Sequence, residues 1–67
     1  MANYNVIEDE NGRFTTWKEG AKQPTSRDDG KNDSWSQAIG YAYNSGGGHV
    51  AQYDKDGNLI REKEVDS

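Results

Sequence analysis

The first twenty positions carry apolar and polar residues in the pattern of a β-hairpin. Aromatic and β-branched residues, which favour strands, lie on both sides of Asn11-Gly12. Asn-Gly is the strongest short hairpin signal, because both central residues of a type I′ turn adopt positive φ. We therefore predict a hairpin over residues 3–19, with a two-residue loop that pairs Val6 with Trp17. Both of its faces then carry apolar side chains, so the pattern leaves the buried face open.

Residues 21–33 show no apolar period. The segment is rich in Pro, Ser, Asp, Gly and Asn, the residues that favour turns and loops. It predicts a mobile loop, and a long one for a compact domain. Loops of this length are either functional or mobile, and the pattern agrees with both.

A helix is predicted over residues 34–45. Ser34 and Gln37 form a capping box, in which the serine hydroxyl accepts one free backbone N–H and the glutamine reaches back to another. An apolar stripe at helical spacing follows, and it consists of Trp35, Ala38, Ile39, Ala42 and Tyr43. The glycine run 46–48 then ends the helix, because glycine readily adopts the left-handed conformation of a helix C-terminus.

Residues 49–65 predict a second hairpin around an Asp-Gly turn. Two loop lengths fit this segment. A three-residue loop with a glycine bulge places Tyr53 opposite Leu59, and a two-residue loop places it opposite Ile60. We favour the bulged form.

Together these elements predict one α+β domain over residues 1–67, with the order ββ-loop-α-ββ. An isolated hairpin is marginally stable in water, and the apolar stripe of the helix needs a sheet to cover it. We therefore expect the two hairpins to join into a four-stranded antiparallel sheet with the helix packed on one face.

The composition is polar for a folded domain. Only 30% of the 67 residues are hydrophobic, and the mean hydropathy is -1.25. The chain has two Trp, four Tyr and one Phe, and aromatic side chains bury a large area each. It has no Cys, which excludes disulfides and thiolate metal sites. We therefore expect a folded domain whose small core depends on its aromatic residues.

The formal net charge of -4 narrows the range of partners. A general nucleic-acid binder needs a clustered basic surface, so nucleic acid is an unfavourable partner for this acidic chain. No apolar run approaches the ~20 residues that span a bilayer, and the N-terminal segment lacks the pattern of a signal peptide. We therefore expect a cytoplasmic protein without a membrane partner.

No pattern in the chain specifies a catalytic, metal or cofactor site. The glycine run 46–48 follows a helix, whereas a phosphate-binding loop precedes one. Residues 54–58 resemble the start of a calcium loop, but their glycine is at the fourth position instead of the sixth. His49 is the only imidazole, and Ser45 nearby has no orienting acid. We therefore expect a protein that is not an enzyme and needs no cofactor.

Short motifs along nearly the whole chain resemble those of one bacterial family. They are Tyr4, Val6, Gly12, Phe14, the segment Lys18-Glu19-Gly20-Ala21, Ala38, Ile39, Ala42, the glycine run 46–48 and Asp56-Gly57. Together they make the chain similar to domain-of-unknown-function family 2188. The chain differs from that family in a longer loop before the helix and in the aromatic residues Trp35, Tyr41 and Tyr43. The resemblance implies the fold given above and implies no activity.

Aromatic side chains outside the core give the best indication of function. Tyr41 lies off the apolar stripe, so we expect its ring on an exposed flank of the helix, and Trp17 is exposed if it lies on the outer sheet face. Exposed Tyr and Trp are enriched at protein interfaces. Tyr43 completes the aromatic part of the predicted interaction site. Arg27 and Lys31 add positive charge near the helix N-terminus, whose free N–H groups suit an anion.

We therefore expect a non-enzymatic protein-interaction module, such as an accessory factor or an inhibitor of the kind that phages and mobile elements carry. Two alternatives remain. Stacking of bases on Phe14, Trp17 and Tyr53 would suit single-stranded nucleic acid. Pairing of edge strands between copies would give a self-associating structural protein.

Overall fold

The computed structural model describes residues 1–67 and contains five strands and one helix. The strands are β1 Tyr4–Glu8, β2 Phe14–Lys18, β3 Ser26–Asp29, β4 Gly48–Tyr53 and β5 Leu59–Val65, and the helix α1 is Lys31–Asn44. The predicted α+β class, the helix and both hairpins are confirmed, and β3 is an addition in the predicted loop. With 14 residues, α1 lacks the length and apolar content that a helix needs to cross a bilayer.

The strands form one mixed sheet in the order β3-β2-β1-β4-β5. Neighbouring strands pair antiparallel except β1 and β4, which are parallel. The prediction of a four-stranded antiparallel sheet is therefore wrong. The third strand is the reason: β3 runs antiparallel to β2 and so parallel to β1. The helix then carries the chain back along the sheet, and β4 starts at the same end as β1.

Polar side chains join β3 to the helix. The Ser26 hydroxyl donates to the Asp29 carboxylate and lies 3.1 Å from the amide oxygen of Gln37. The amide nitrogen of Gln37 donates to the same carboxylate at 3.3 Å. Because polar residues far apart in the chain make these contacts, no apolar period reveals them. The prediction of a loop over residues 21–33 misses β3 for this reason.

The helix begins three residues before the predicted start, at Lys31 instead of Ser34. Gly30 is the N-cap and has no side chain to donate or accept a hydrogen bond. The Ser34 hydroxyl donates to the Lys31 carbonyl at 2.9 Å and accepts from the Gln52 amide at 3.2 Å. The predicted capping box is therefore wrong, because Ser34 is a buried polar contact between helix and sheet.

The core lies between the helix and one face of the sheet. Seven buried hydrophobic residues form it: Tyr4, Val6, Phe14, Ala38, Ala42, Val50 and Val65. The predicted stripe of α1 enters this core through Ala38 and Ala42, and Trp35 and Ile39 pack at its margin. Tyr43 is instead 58% exposed, so the buried arc of the helix is narrower than the stripe.

The first hairpin is one residue out of its predicted register. Val6 lies opposite Thr16 and not Trp17. The loop is longer than Asn-Gly suggests, because the Asp9 N–H donates to the Arg13 carbonyl at 2.8 Å. A shift of one residue exchanges the two faces of a strand. Thr16 is therefore buried under the helix, and Trp17 points to the opposite face of the sheet.

The second hairpin has the predicted pairing of Tyr53 with Leu59, and a bulge beyond that pair places Gln52 opposite Arg61. Its turn repeats the first one. In Asp9–Arg13 and Asp54–Asn58, the aspartate carboxylate accepts backbone N–H groups two and four residues later, at 2.8 to 3.0 Å. The donated N–H groups, that of Asn58 first, hold the pKa of the Asp54 carboxyl below its usual range. Because β1 and β4 are parallel, the two turns lie side by side at one end of the sheet.

A fully buried glutamine fastens the start of the helix to β4 and β5. The Gln52 amide nitrogen donates to the Lys31 carbonyl at 2.8 Å, and its amide oxygen accepts from the Arg61 guanidinium at 2.7 Å. The same guanidinium lies 4.9 Å from the centre of the Trp35 ring, which is the geometry of a cation–π contact. This network fixes the helix N-terminus over the second hairpin.

The glycine run 46–48 ends the helix, as predicted. The Gly47 N–H donates to the Ala42 carbonyl at 2.8 Å. The run also lets β4 enter the sheet between two other backbones. A Cβ on Gly48 would overlap the carbonyl of Ala2, and one on Gly47 would lie 2.7 Å from the Val65 carbonyl oxygen. Glycine is therefore required at both positions by close backbone approach.

We expect Gly48→Ala to lower the free energy of unfolding by about 3 kcal/mol, because the overlap with a backbone carbonyl forces β4 and the N-terminal segment apart. Gly40→Ala is the matched control. It lies in the helix with no atom within 4 Å of the added Cβ, so it should raise the stability by up to ~1 kcal/mol. Urea unfolding followed by tryptophan fluorescence measures both. Equal midpoints for Gly48→Ala and the parent protein would contradict the close approach.

Candidate functional site

The helix covers one face of the sheet, and no element covers the other. We call this second surface the open face. Successive side chains of a strand point to opposite faces, so the residues that alternate with the core residues belong to it. They are Asn5 and Ile7 of β1, Thr15 and Trp17 of β2, His49, Ala51 and Tyr53 of β4, and Leu59, Glu62 and Glu64 of β5.

An apolar row crosses the open face from β2 to β5. Thr15, Ile7, Tyr53 and Leu59 lie directly opposite one another on four successive strands. Ile7 is 42% exposed and Leu59 is 48% exposed. Single exposed apolar residues are common on protein surfaces, whereas a contiguous set indicates a binding surface.

A histidine and two glutamates lie on the same face, further along β4 and β5. The His49 Nδ1 is 2.7 Å from Glu64 Oε1, and its Nε2 is 2.9 Å from Glu62 Oε1. The hydrogen bond with Glu64, and then the one with Glu62, raises the pKa of His49 above 6.5 against the opposing effect of burial. Protonation of His49 therefore adds a positive charge between two carboxylates on the open face.

A shallow pocket of about 400 Å³ lies at the β2–β3 side of the open face. Its lining residues are Asp9, Thr15, Trp17, Pro24, Arg27 and Asp28. Asp28 has a left-handed φ of 64°, and the Arg13 guanidinium donates to its carbonyl at 2.7 Å. The bulge of β3 at this point places Arg27 and Asp28 in the same pocket lining as Trp17.

The structure brings together two of the five predicted interaction residues, Trp17 and Arg27, in this pocket. The prediction of an exposed Tyr41 is wrong. Its ring centre lies 5.7 Å from that of Tyr4, and the side chain packs against the core. Tyr43 is exposed, but on the helix and so on the other side of the sheet. Lys31 is the first helical residue, and its carbonyl accepts a hydrogen bond from the Gln52 amide.

The apolar row and the His49 cluster are absent from the predictions made on the sequence. Ile7 carried a usable signal, because it is apolar directly after the buried Val6 and so breaks the alternation of the strand. The pairing of His49 with Glu62 and Glu64 had no local signal. It depends on the β4–β5 register, which places His49 opposite Glu64.

The structure gives other partners to the residues of the catalytic and calcium-loop patterns considered in the sequence. The Ser45 hydroxyl donates to the Ala42 carbonyl at 2.8 Å, and both ring nitrogens of His49 are occupied by carboxylates. Residues 54–58 form the second hairpin turn, in which the Asp54 carboxylate accepts backbone N–H groups. No group of three or more His, Cys, Asp or Glu side chains is placed to hold a metal ion.

These features define a class of protein: a small α+β domain with one helical layer and one open sheet face. No protein-family model matches the chain, and no curated protein or solved structure matches it either. The resemblance to family 2188 stays a prediction. The open face is therefore the basis for the proposed function.

We expect His49 to titrate above its ordinary pKa of 6.5. A raised pKa gives a stabilising contribution that is fully present below pH 6.5 and is lost as the pH rises through the higher pKa of the folded protein. An NMR titration of the imidazole protons measures this pKa. Glu64→Gln should lower the pKa of His49. Glu10→Gln, in the turn of the first hairpin, should leave that pKa unchanged. The same pKa in Glu64→Gln and the parent protein would contradict the proposed cause.

Proposed function

We propose that this domain is a non-enzymatic protein-interaction module that binds its partner through the open face. The observation that carries the proposal is the apolar row, in which Ile7 and Leu59 are both more than two-fifths exposed. A single-layer sheet leaves this row in water, and a partner that covers it would gain the favourable free energy of burying apolar area. Tyr53 within the row and Trp17 beside it belong to the residue types enriched in interface centres.

The charges around the apolar row define the chemistry of the partner. Glu62 and Glu64 lie on the β5 side, and Asp9 and Asp28 line the pocket on the β2 side. Arg27 is the single cation of the pocket lining, and the net charge of the chain is -4. A complementary partner has an apolar patch with basic residues at its rim. An accessory factor or inhibitor that docks on a basic protein meets this description.

The geometry weighs against binding of single-stranded nucleic acid. Phe14, one of the three aromatic residues suggested for base stacking, is 3% exposed in the core under the helix. The two others, Trp17 and Tyr53, share the open face with carboxylates that repel phosphates. The cytoplasmic location stays a prediction.

Replacing Ile7 and Leu59 by Thr should reduce partner binding at least about tenfold, because two central apolar side chains each contribute more than ~1 kcal/mol in a typical interface. Threonine favours strands, so the sheet should be retained. Affinity capture from the native host with the tagged protein identifies the partner, and titration calorimetry then compares the variants. Tyr43→Ser is the matched control, because it removes an exposed large side chain from the helix side.

Two outcomes of that comparison would contradict the proposal. Equal binding by Ile7→Thr/Leu59→Thr and the parent protein would exclude the open face as the interface. Loss of binding in Tyr43→Ser alone would move the interface to the helix.

Titration with single-stranded oligonucleotides at low salt should give no saturable quenching of tryptophan fluorescence. Trp17 lies on the open face, so a base stacked there would quench it, and low salt gives the strongest possible phosphate binding. Buffer alone and a double-stranded oligonucleotide are the controls. Saturable quenching that Trp17→Phe removes would favour nucleic-acid binding instead.

A further inference from the structure

The outer edge of β5 is open along its whole length. β5 runs from Leu59 to Val65 at one end of the sheet. Residues 60–65 make backbone hydrogen bonds only within the β4–β5 ladder, and no loop or side chain bonds to their outer N–H and C=O groups. From Arg61 to Val65 the pairing with β4 is regular and without a bulge. Such an edge is able to pair with a further strand.

The opposite edge of the sheet lacks this ability. β3 has four residues and a register shift against β2. Asp28 within it has a left-handed φ of 64°, and the Arg13 guanidinium already donates to the Asp28 carbonyl. Short length and a bulge protect an edge from pairing. Strand addition to this sheet is therefore restricted to β5.

The side chains of β5 divide its edge by charge. Arg61 lies opposite Gln52 and Val65 opposite Gly48, which places Arg61 and Lys63 on the side of the helix. Glu62 and Glu64 bond to His49 on the open face. The edge thus presents two positive charges on the helix side and two negative charges on the open side.

This arrangement rejects a second copy of the chain. In an antiparallel two-fold pairing of two β5 strands, directly opposite residues lie on the same face of the sheet. Glu62 of one copy then faces Glu62 or Glu64 of the other, and Lys63 faces Lys63 or Arg61. Like charges directly opposite one another are destabilising. The self-associating protein suggested as an alternative is therefore disfavoured at the one edge that is open.

We propose that β5 binds an extended segment of another protein, which adds to the sheet as a sixth strand. The segment carries acidic side chains beside Arg61 and Lys63 and basic side chains beside Glu62 and Glu64. Backbone hydrogen bonds supply the affinity of such an added strand, and its side chains supply the specificity. The proposal goes beyond the proposed function, because it assigns a second surface and does not depend on the apolar row.

The test uses the full protein labelled with ¹⁵N and a synthetic peptide of alternating Glu and Lys. A peptide of the same composition, with its charges in two blocks, is the matched control. We expect chemical-shift changes and slower amide exchange along residues 60–65 with the alternating peptide. We expect at least about tenfold weaker binding of the block peptide, because each misplaced charge turns a favourable cross-strand pair into a repulsive one.

Two charge variants separate local recognition from general electrostatics. Glu62→Lys/Glu64→Lys should weaken binding of the alternating peptide about tenfold. Glu10→Lys/Glu19→Lys changes the net charge equally at exposed positions on the first hairpin and should leave binding unchanged. Core amide shifts report whether each variant is folded.

The proposal would be overturned by no change at β5 with millimolar peptide, by equal binding of both peptides, or by equal loss in both variants. Shifts centred on Ile7 and Tyr53 would also overturn it. They would place the peptide on the open face and leave the proposed interaction function standing.

Discussion

The parallel pairing of β1 with β4 brings two backbones to within about 4.8 Å of each other at the centre of the sheet. β4 can begin there only because Gly48 has no side chain to meet the Ala2 carbonyl. This pair joins the two hairpins into one sheet and aligns their turns at the same end. It also places Ile7 beside Tyr53. Without it, the apolar row would be divided into two short pieces on separate hairpins.

One helix is enough to cover only one face of this sheet. Small residues, Ser34, Ala38 and Ala42, line its buried side and let it lie close to the strands. Two hydrogen bonds then hold the first half of the helix in place. Gln52 of β4 donates to the Lys31 carbonyl, and Gln37 of the helix donates to Asp29 of β3. The other face stays in water with its aromatic and aliphatic side chains. An uncovered apolar surface is costly for an isolated domain, and a partner surface offsets that cost.

The two hairpin turns illustrate how far local sequence chemistry predicts structure. Asp9–Arg13 and Asp54–Asn58 share aspartate at the first position and glycine at the fourth, and they fold alike. The sequence predicts the bulged form for the second turn, where the glycine follows Asp56. For the first turn, Asn11-Gly12 predicts a two-residue loop, which is wrong. The carboxylate of Asp9 favours the longer turn. In that turn it accepts the backbone N–H groups of Asn11 and Arg13, which a tighter turn would place out of its reach.

The sequence by itself determined the features whose causes lie within a few residues of one another. These are the helical stripe through Ala38 and Ala42, the glycine stop at 46–48 and the second turn. Only the tertiary structure decided β3, the parallel central pair and the open face. Each of these three features depends on hydrogen bonds or on strand register between separate segments of the chain. Examples are the hydrogen bonds of Ser26 with Gln37 and of His49 with Glu64. Apolar periodicity records which side of an element is buried, but it carries no information about which strand lies next to it.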